Sequence, residues 1–115
     1  MLMLLPVSLT FAGGLYGVHA EVQTSSNFRA ATVTLRGPGI DCTGHGTLAR
    51  DGVVRLDDDF ERYLRRRRVT LRAVTLAPDR ANISVAVDLP LLGARTVVLR
   101  TRDEPRLAQH LGGCE

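Results

Sequence analysis

The chain reads as a mainly β protein, a small antiparallel sandwich or partly open barrel of about five to six strands in a meander. A short helix is expected near residues 58–67 and a second, C-terminal helix near 104–111. Three observations carry that reading. Apolar and polar residues alternate with period two over several segments. Glycine, proline and aspartate punctuate the chain between those segments. The apolar residues are mostly Val, Leu, Ile and Ala, with aromatics at 4% and no Trp, so the core has to be aliphatic. At 115 residues there is room for one domain, placed at 28–115.

Residues 1–20, MLMLLPVSLTFAGGLYGVHA, have two readings. The first is a signal peptide, because an apolar stretch closes in Val18-His19-Ala20 with small residues where signal peptidase acts. The second is a β-hairpin over 6–23. Val7, Leu9 and Phe11 alternate with Ser8 and Thr10, and Tyr16, Val18, Ala20 and Val22 alternate with Gly17, His19, Glu21 and Gln23, with Gly13-Gly14 between the two runs. The first reading places the protein outside the cytoplasm, in the periplasm, at the cell surface or secreted. Neither predicts a stable transmembrane span, since Pro6 and three glycines break a run already short of the roughly 20 apolar residues needed.

Beyond the polar connector 23–27, Ala31, Val33 and Leu35 form one face of a strand that stops at Gly37-Pro38-Gly39. Residues 45–50 and 53–56 flank Asp51-Gly52, a two-residue hairpin signal of the type I′ class. Residues 57–68, DDDFERYLRRRR, read as a helix with acids first and bases last, as the helix dipole favours. Asp58 is the expected N-cap with Glu61 three positions on. The expected ion pairs are Asp58–Arg62 and Glu61–Arg65, with Phe60, Tyr63 and Leu64 on the buried face. Alternation returns over 69–76 with a change of phase at Ala73-Val74, the mark of a bulge. Ile83, Val85, Val87 and Leu89 give the clearest strand, and Val97 with Leu99 the next.

Cys42 and Cys114 are the only cysteines, and both are expected in glycine-rich loops. In an exported domain they pair as a disulfide, which would restrict the unfolded chain by ~4 kcal/mol. The competing reading is a zinc site of Cys42, His45, His110 and Cys114, two half-sites whose spacings suit a tetrahedral ion; otherwise no cofactor is implied. The dense cationic feature is Arg62 with Arg65, Arg66, Arg67 and Arg68. It reads as a solvated helix face or as a grip for phosphate, nucleic acid or an acidic polymer. Nucleic acid is disfavoured because four nearby acids neutralise much of the run and only Tyr63 is interleaved for stacking. No catalytic carboxylate pair stands out. The function expected from sequence is therefore a non-enzymatic binding or structural module of the cell envelope, with an anionic or apolar envelope ligand as the partner class.

Overall fold

The computed structural model describes residues 9–15 and 17–103. Eight strands form a single antiparallel sheet: β1 Thr10–Leu15, β2 Val18–Thr24, β3 Ala30–Gly37, β4 Ile40–Leu48, β5 Val54–Leu56, β6 Thr70–Leu76, β7 Asn82–Leu89 and β8 Gly93–Arg102. One helix, α1 Asp58–Arg66, sits between β5 and β6. The spatial order is β5-β4-β3-β2-β1-β8-β7-β6. The sheet rolls up until its two edges meet at one bridge, Val53 to Thr75, reinforced where Leu76 N donates to Gly52 O at 2.7 Å. The result is a nearly closed barrel. The short edge at β5 leaves a gap that α1 covers, with Phe60, Tyr63 and Leu64 all buried.

The count of eight corrects the expected five to six. Much of the difference comes from β1 and β2, which pair in register from Thr10 with Gln23 to Leu15 with Val18. They form a hairpin in this region, but the chain reverses between Leu15 and Val18, and Gly13 and Gly14, expected as its turn, lie within β1 paired with Ala20 and His19. Strand β1 also pairs with β8, so it joins the two halves of the sheet. Across that seam the Glu21 carboxylate, almost fully buried, accepts from Arg102 Nη1 at 2.9 Å. A cut after Ala20 would remove β1 and with it this connection. The expected helix at 104–111 lies outside the described residues.

Strand β4 brings a second correction. It starts at Ile40, so Cys42 lies in a strand rather than a loop, paired with Leu35 of β3. Glycines 44 and 46 hid this half of the strand, because glycine lowers strand propensity and interrupts the apolar alternation. Gly44 has a packing reason: a Cβ there would run into the Phe60 ring, so the missing side chain lets α1 approach the sheet.

The hairpin at Asp51-Gly52 is present, but its turn is not type I′. Gly52 N donates to Ala49 O at 3.0 Å and Ala49 N to Val53 O at 2.9 Å, and Gly52 alone in the turn has positive φ, at 91°. That is a three-residue loop with glycine in the left-handed position.

The helix starts one residue earlier than expected. Asp57 is the N-cap, and its carboxylate accepts from Phe60 N at 2.9 Å and from His45 N of β4 at 3.2 Å. One aspartate thus caps the helix and ties it to the sheet. At the other end Arg68 N donates to Arg65 O and Val69 N to Leu64 O, both at 2.9 Å, which is a Schellman ending with Arg68 at φ 62°. The bulge falls where the phase change indicated, between Leu71 and Ala73. It allows Leu71 and Val74, three positions apart, both to face the interior opposite Val87 and Val85.

Replacing Gly44 with Ala should lower unfolding free energy by about 1–3 kcal/mol, because Phe60 and α1 have to back away. Urea denaturation of the variant checks this, and an unchanged midpoint would mean that the helix does not rest on β4.

Candidate ligand-binding cavity

The barrel has a packed end and a hollow end. The packed end lies near the 49–53 and 77–81 turns, where Phe11 and Ile83 are 0% exposed and Leu99 is 1% exposed. The hollow end is formed by the β1–β2, β3–β4 and β7–β8 turns together with the junction of α1 and β6. Between them is a cavity of about 240 Å³.

Register explains the lining. Strand β2 contributes Val18, Ala20 and Val22, and Ala20 and Val22 stand across from Leu35 and Val33 of β3. On the opposite wall Val85 and Val87 of β7 face inward beside Val97 of β8 and Leu71 and Val74 of β6. Phe60 and Leu64 of α1 close the side where β5 and β6 part. Every lining residue is aliphatic, glycine, Pro90 or Phe60. Val18, Ala20, Leu35, Ile40, Leu71, Val85 and Val97 point inward yet are only half-buried, because the space they face is empty. Around the opening, Leu92 contributes to the lining and Leu91, held at φ 68°, is fully exposed.

The residues singled out from sequence do not lie in this cavity as a group. Cys42 is fully buried on the interior face of β4, while His45, three positions along the same strand, is exposed on the outer face. There His45 Nδ1 lies 3.4 Å from Thr32 Oγ1. A single ion therefore cannot take both as ligands while β4 keeps its register, which separates one half of the anticipated zinc site. His110 and Cys114 lie outside the described residues. Among the described residues no group of three or more His, Cys, Asp or Glu side chains is placed to hold a metal.

The arginine run divides by position. Arg67 is half-buried, with its guanidinium 3.6 Å from the Tyr63 ring centroid. Its Nε donates to Gly39 O at 2.7 Å and its Nη1 to Tyr63 O at 3.3 Å, so it ties the end of α1 to the β3–β4 turn. Tyr63 adds to that tie, since its Oη accepts from Asp41 N at 3.0 Å. Arg68 occupies the left-handed position of the helix ending. Arg62 pairs with Asp59 at 3.4 Å rather than with Asp58. Arg65 and Arg66 are exposed. The five arginines thus fall into structural and solvent-facing members rather than one converging cluster.

Sequence reasoning missed the cavity, and it missed Arg95. The register pairs Arg95 with Val87, which lines the cavity, and alternation along β8 puts Arg95 on the same face as Val97 and Leu99. An arginine in phase with an apolar face was the available signal.

Comparison with protein-family models, with curated proteins and with solved structures finds no match to this chain. No helix among the described residues is long and apolar enough to cross a membrane.

If Arg67 anchors the helix end, Arg67→Ala should cost about 1 kcal/mol, whereas Arg65→Ala should change stability by less than about 0.5 kcal/mol. Arg68→Gly should be stabilising, by up to about 1 kcal/mol, since glycine takes the left-handed conformation without the Cβ penalty. Equal midpoints for the Arg67 and Arg65 variants would contradict this division of roles.

Proposed function

We propose that the protein is a non-enzymatic binding module whose barrel encloses one small apolar ligand. The supporting observation is the cavity itself: about 240 Å³ of space at one end of the barrel with no polar side chain in its lining. Water gains little in such a space, because it needs two to four hydrogen-bonding partners there. An apolar molecule loses nothing by entering and removes its own surface from water. Nothing in the lining can move a proton or attack a bond, which supports binding over catalysis.

Size narrows the ligand class. A cavity of about 150 Å³ lined by similar side chains takes up benzene, so this one suits a chain on the order of eight to ten carbons or a single-ring hydrocarbon. Pockets for larger ligands run from about 300 Å³ upward. The setting we propose is the cell envelope or beyond, on the strength of joining Cys42 to Cys114 as the covalent element and not of a cut after Ala20, which would remove β1 and the lining residues Gly14, Val18 and Ala20. In that arrangement the end of the chain would be tied to the fully buried Cys42 of β4.

Octanol should bind one-to-one and saturably when titrated into the protein and followed by NMR or calorimetry. Val97→Phe puts a ring into the same space, and it should weaken octanol binding at least about tenfold while far-UV circular dichroism stays β-type. Failure of octanol to bind the unmodified protein would reject the proposal. Intact mass of the protein from its native host tests the covalent element separately: a deficit of two hydrogen atoms is expected, and a fully reduced mass would remove it.

A further inference from the structure

The cavity leaves one question of ligand chemistry open at its mouth, and the residues there answer it. Because the lining carries no hydrogen-bonding side chain, a polar group on a ligand has to remain at the opening. Arg95 is placed to meet it. It stands opposite Val87 on the interior face, two residues outward from the lining residue Val97, and it is exposed at the rim. Its Nη1 donates to the neighbouring Ala94 O at 2.9 Å, and it has no carboxylate partner among the described residues.

The other charges at this end are largely committed. Arg36 pairs with Asp41 at 3.2 Å, and Arg72 pairs with Asp88. That pairing, through hydrogen bonding and then charge, raises the Arg72 guanidinium above its ordinary pKa. Arg67 is held against Tyr63 and Gly39. Asp41 and Asp88 near the opening are thus already matched, while Arg95, Arg66 and Arg68 have no acidic partner, so among the described residues at this end the unmatched charges are positive. A guanidinium also offers a planar fork of donors suited to a carboxylate or phosphate.

We infer that the ligand is a single-chain anionic amphiphile, with its apolar tail in the cavity and its head group held by Arg95 at the rim. This rests on the apolar-ligand reading above and adds the head group to it. Carboxylate and phosphate heads share the recognised chemistry, and the test separates them.

Octanoate, octyl phosphate, octanol and octylammonium have the same tail and differ in the head, so they form the test series with the full chain at low salt. At least one of the two anions should bind about tenfold more tightly than octanol, and octylammonium should bind less tightly than octanol. The stronger of the anions identifies the head. Arg95→Gln should remove that advantage and leave octanol affinity unchanged, which also shows that the variant is folded. Arg95→Lys should restore part of it, and raising the salt should weaken the anions alone. If octanol binds but neither anion gains, or if Arg95→Gln leaves the gain intact, the head-group inference is overturned while the apolar cavity reading stands. If no member of the series binds, both fail.

Discussion

Closure of the sheet is the constraint on which the rest of the structure depends. Eight strands rolled into a barrel fix the width of the interior, which at that number is just large enough for side chains to fill or for one small ligand to occupy. Which of the two occurs is decided by the side chains supplied. This chain supplies few large ones: three Phe, two Tyr and no Trp in all. Phe11 is spent at the packed end and Phe60 against Gly44, so valine, alanine and leucine line the remaining length and cannot meet across it. The shortage of aromatics, first noticed as a feature of composition, becomes a cavity once the sheet closes.

Closure is also uneven around the circumference. Most neighbouring strands share ladders of six to eight paired residues and the three-residue β5 pairs with β4 along its whole length, but β1 pairs with β8 over three, and Val53, just before β5, meets β6 at a single bridge. The two weak seams are reinforced differently. At β1–β8 the buried Glu21 and Arg102 reach across, and leaving that carboxylate buried without its cation would be costly. At β5–β6 the helix substitutes for missing strand. Asp57 holds its first turn to β4, while Tyr63 and Arg67 hold its last turn to the β3–β4 segment. The charged residues of 57–68 thus explain how a helix can stand in for part of a sheet.

How much of this was legible in the sequence follows from the range of the interactions involved. Strands β3, β7 and β8 were readable because an inside and an outside face impose alternation on each strand alone. The bulge near Ala73 was readable for the same reason, as a break in that alternation. Helix α1 announced itself through its charge gradient and its apolar spacing, although two adjacent aspartates left the cap ambiguous by one residue. The first half of β4 was obscured because Gly44 is dictated by Phe60, sixteen residues later, and not by its own strand. The hairpin of β1 and β2 shares its apolar, glycine-containing composition with export signals. What was not legible was the hollow interior, because no segment carries it: it arises from inward faces of all eight strands and a helix whose sum of volumes falls short.

Arg95 shows how that shortfall becomes chemistry. On an open sheet, an arginine aligned with Val97 and Leu99 would be a flaw, a charge placed on the apolar side. At the end of a strand in a closed barrel the same register puts it at the lip of the lumen, where its stem continues the apolar wall and its guanidinium stays in water. Moved one position along β8, it would face outward and have no relation to the cavity. Moved two positions inward, to Val97, it would bury a charge without a partner. Its position is the one on that strand where a cation can be solvated in the empty barrel and still reach the polar end of an occupant. Alternation, closure and a lack of bulky residues therefore suffice to convert an unremarkable β sequence into a barrel with an apolar interior and a cationic rim.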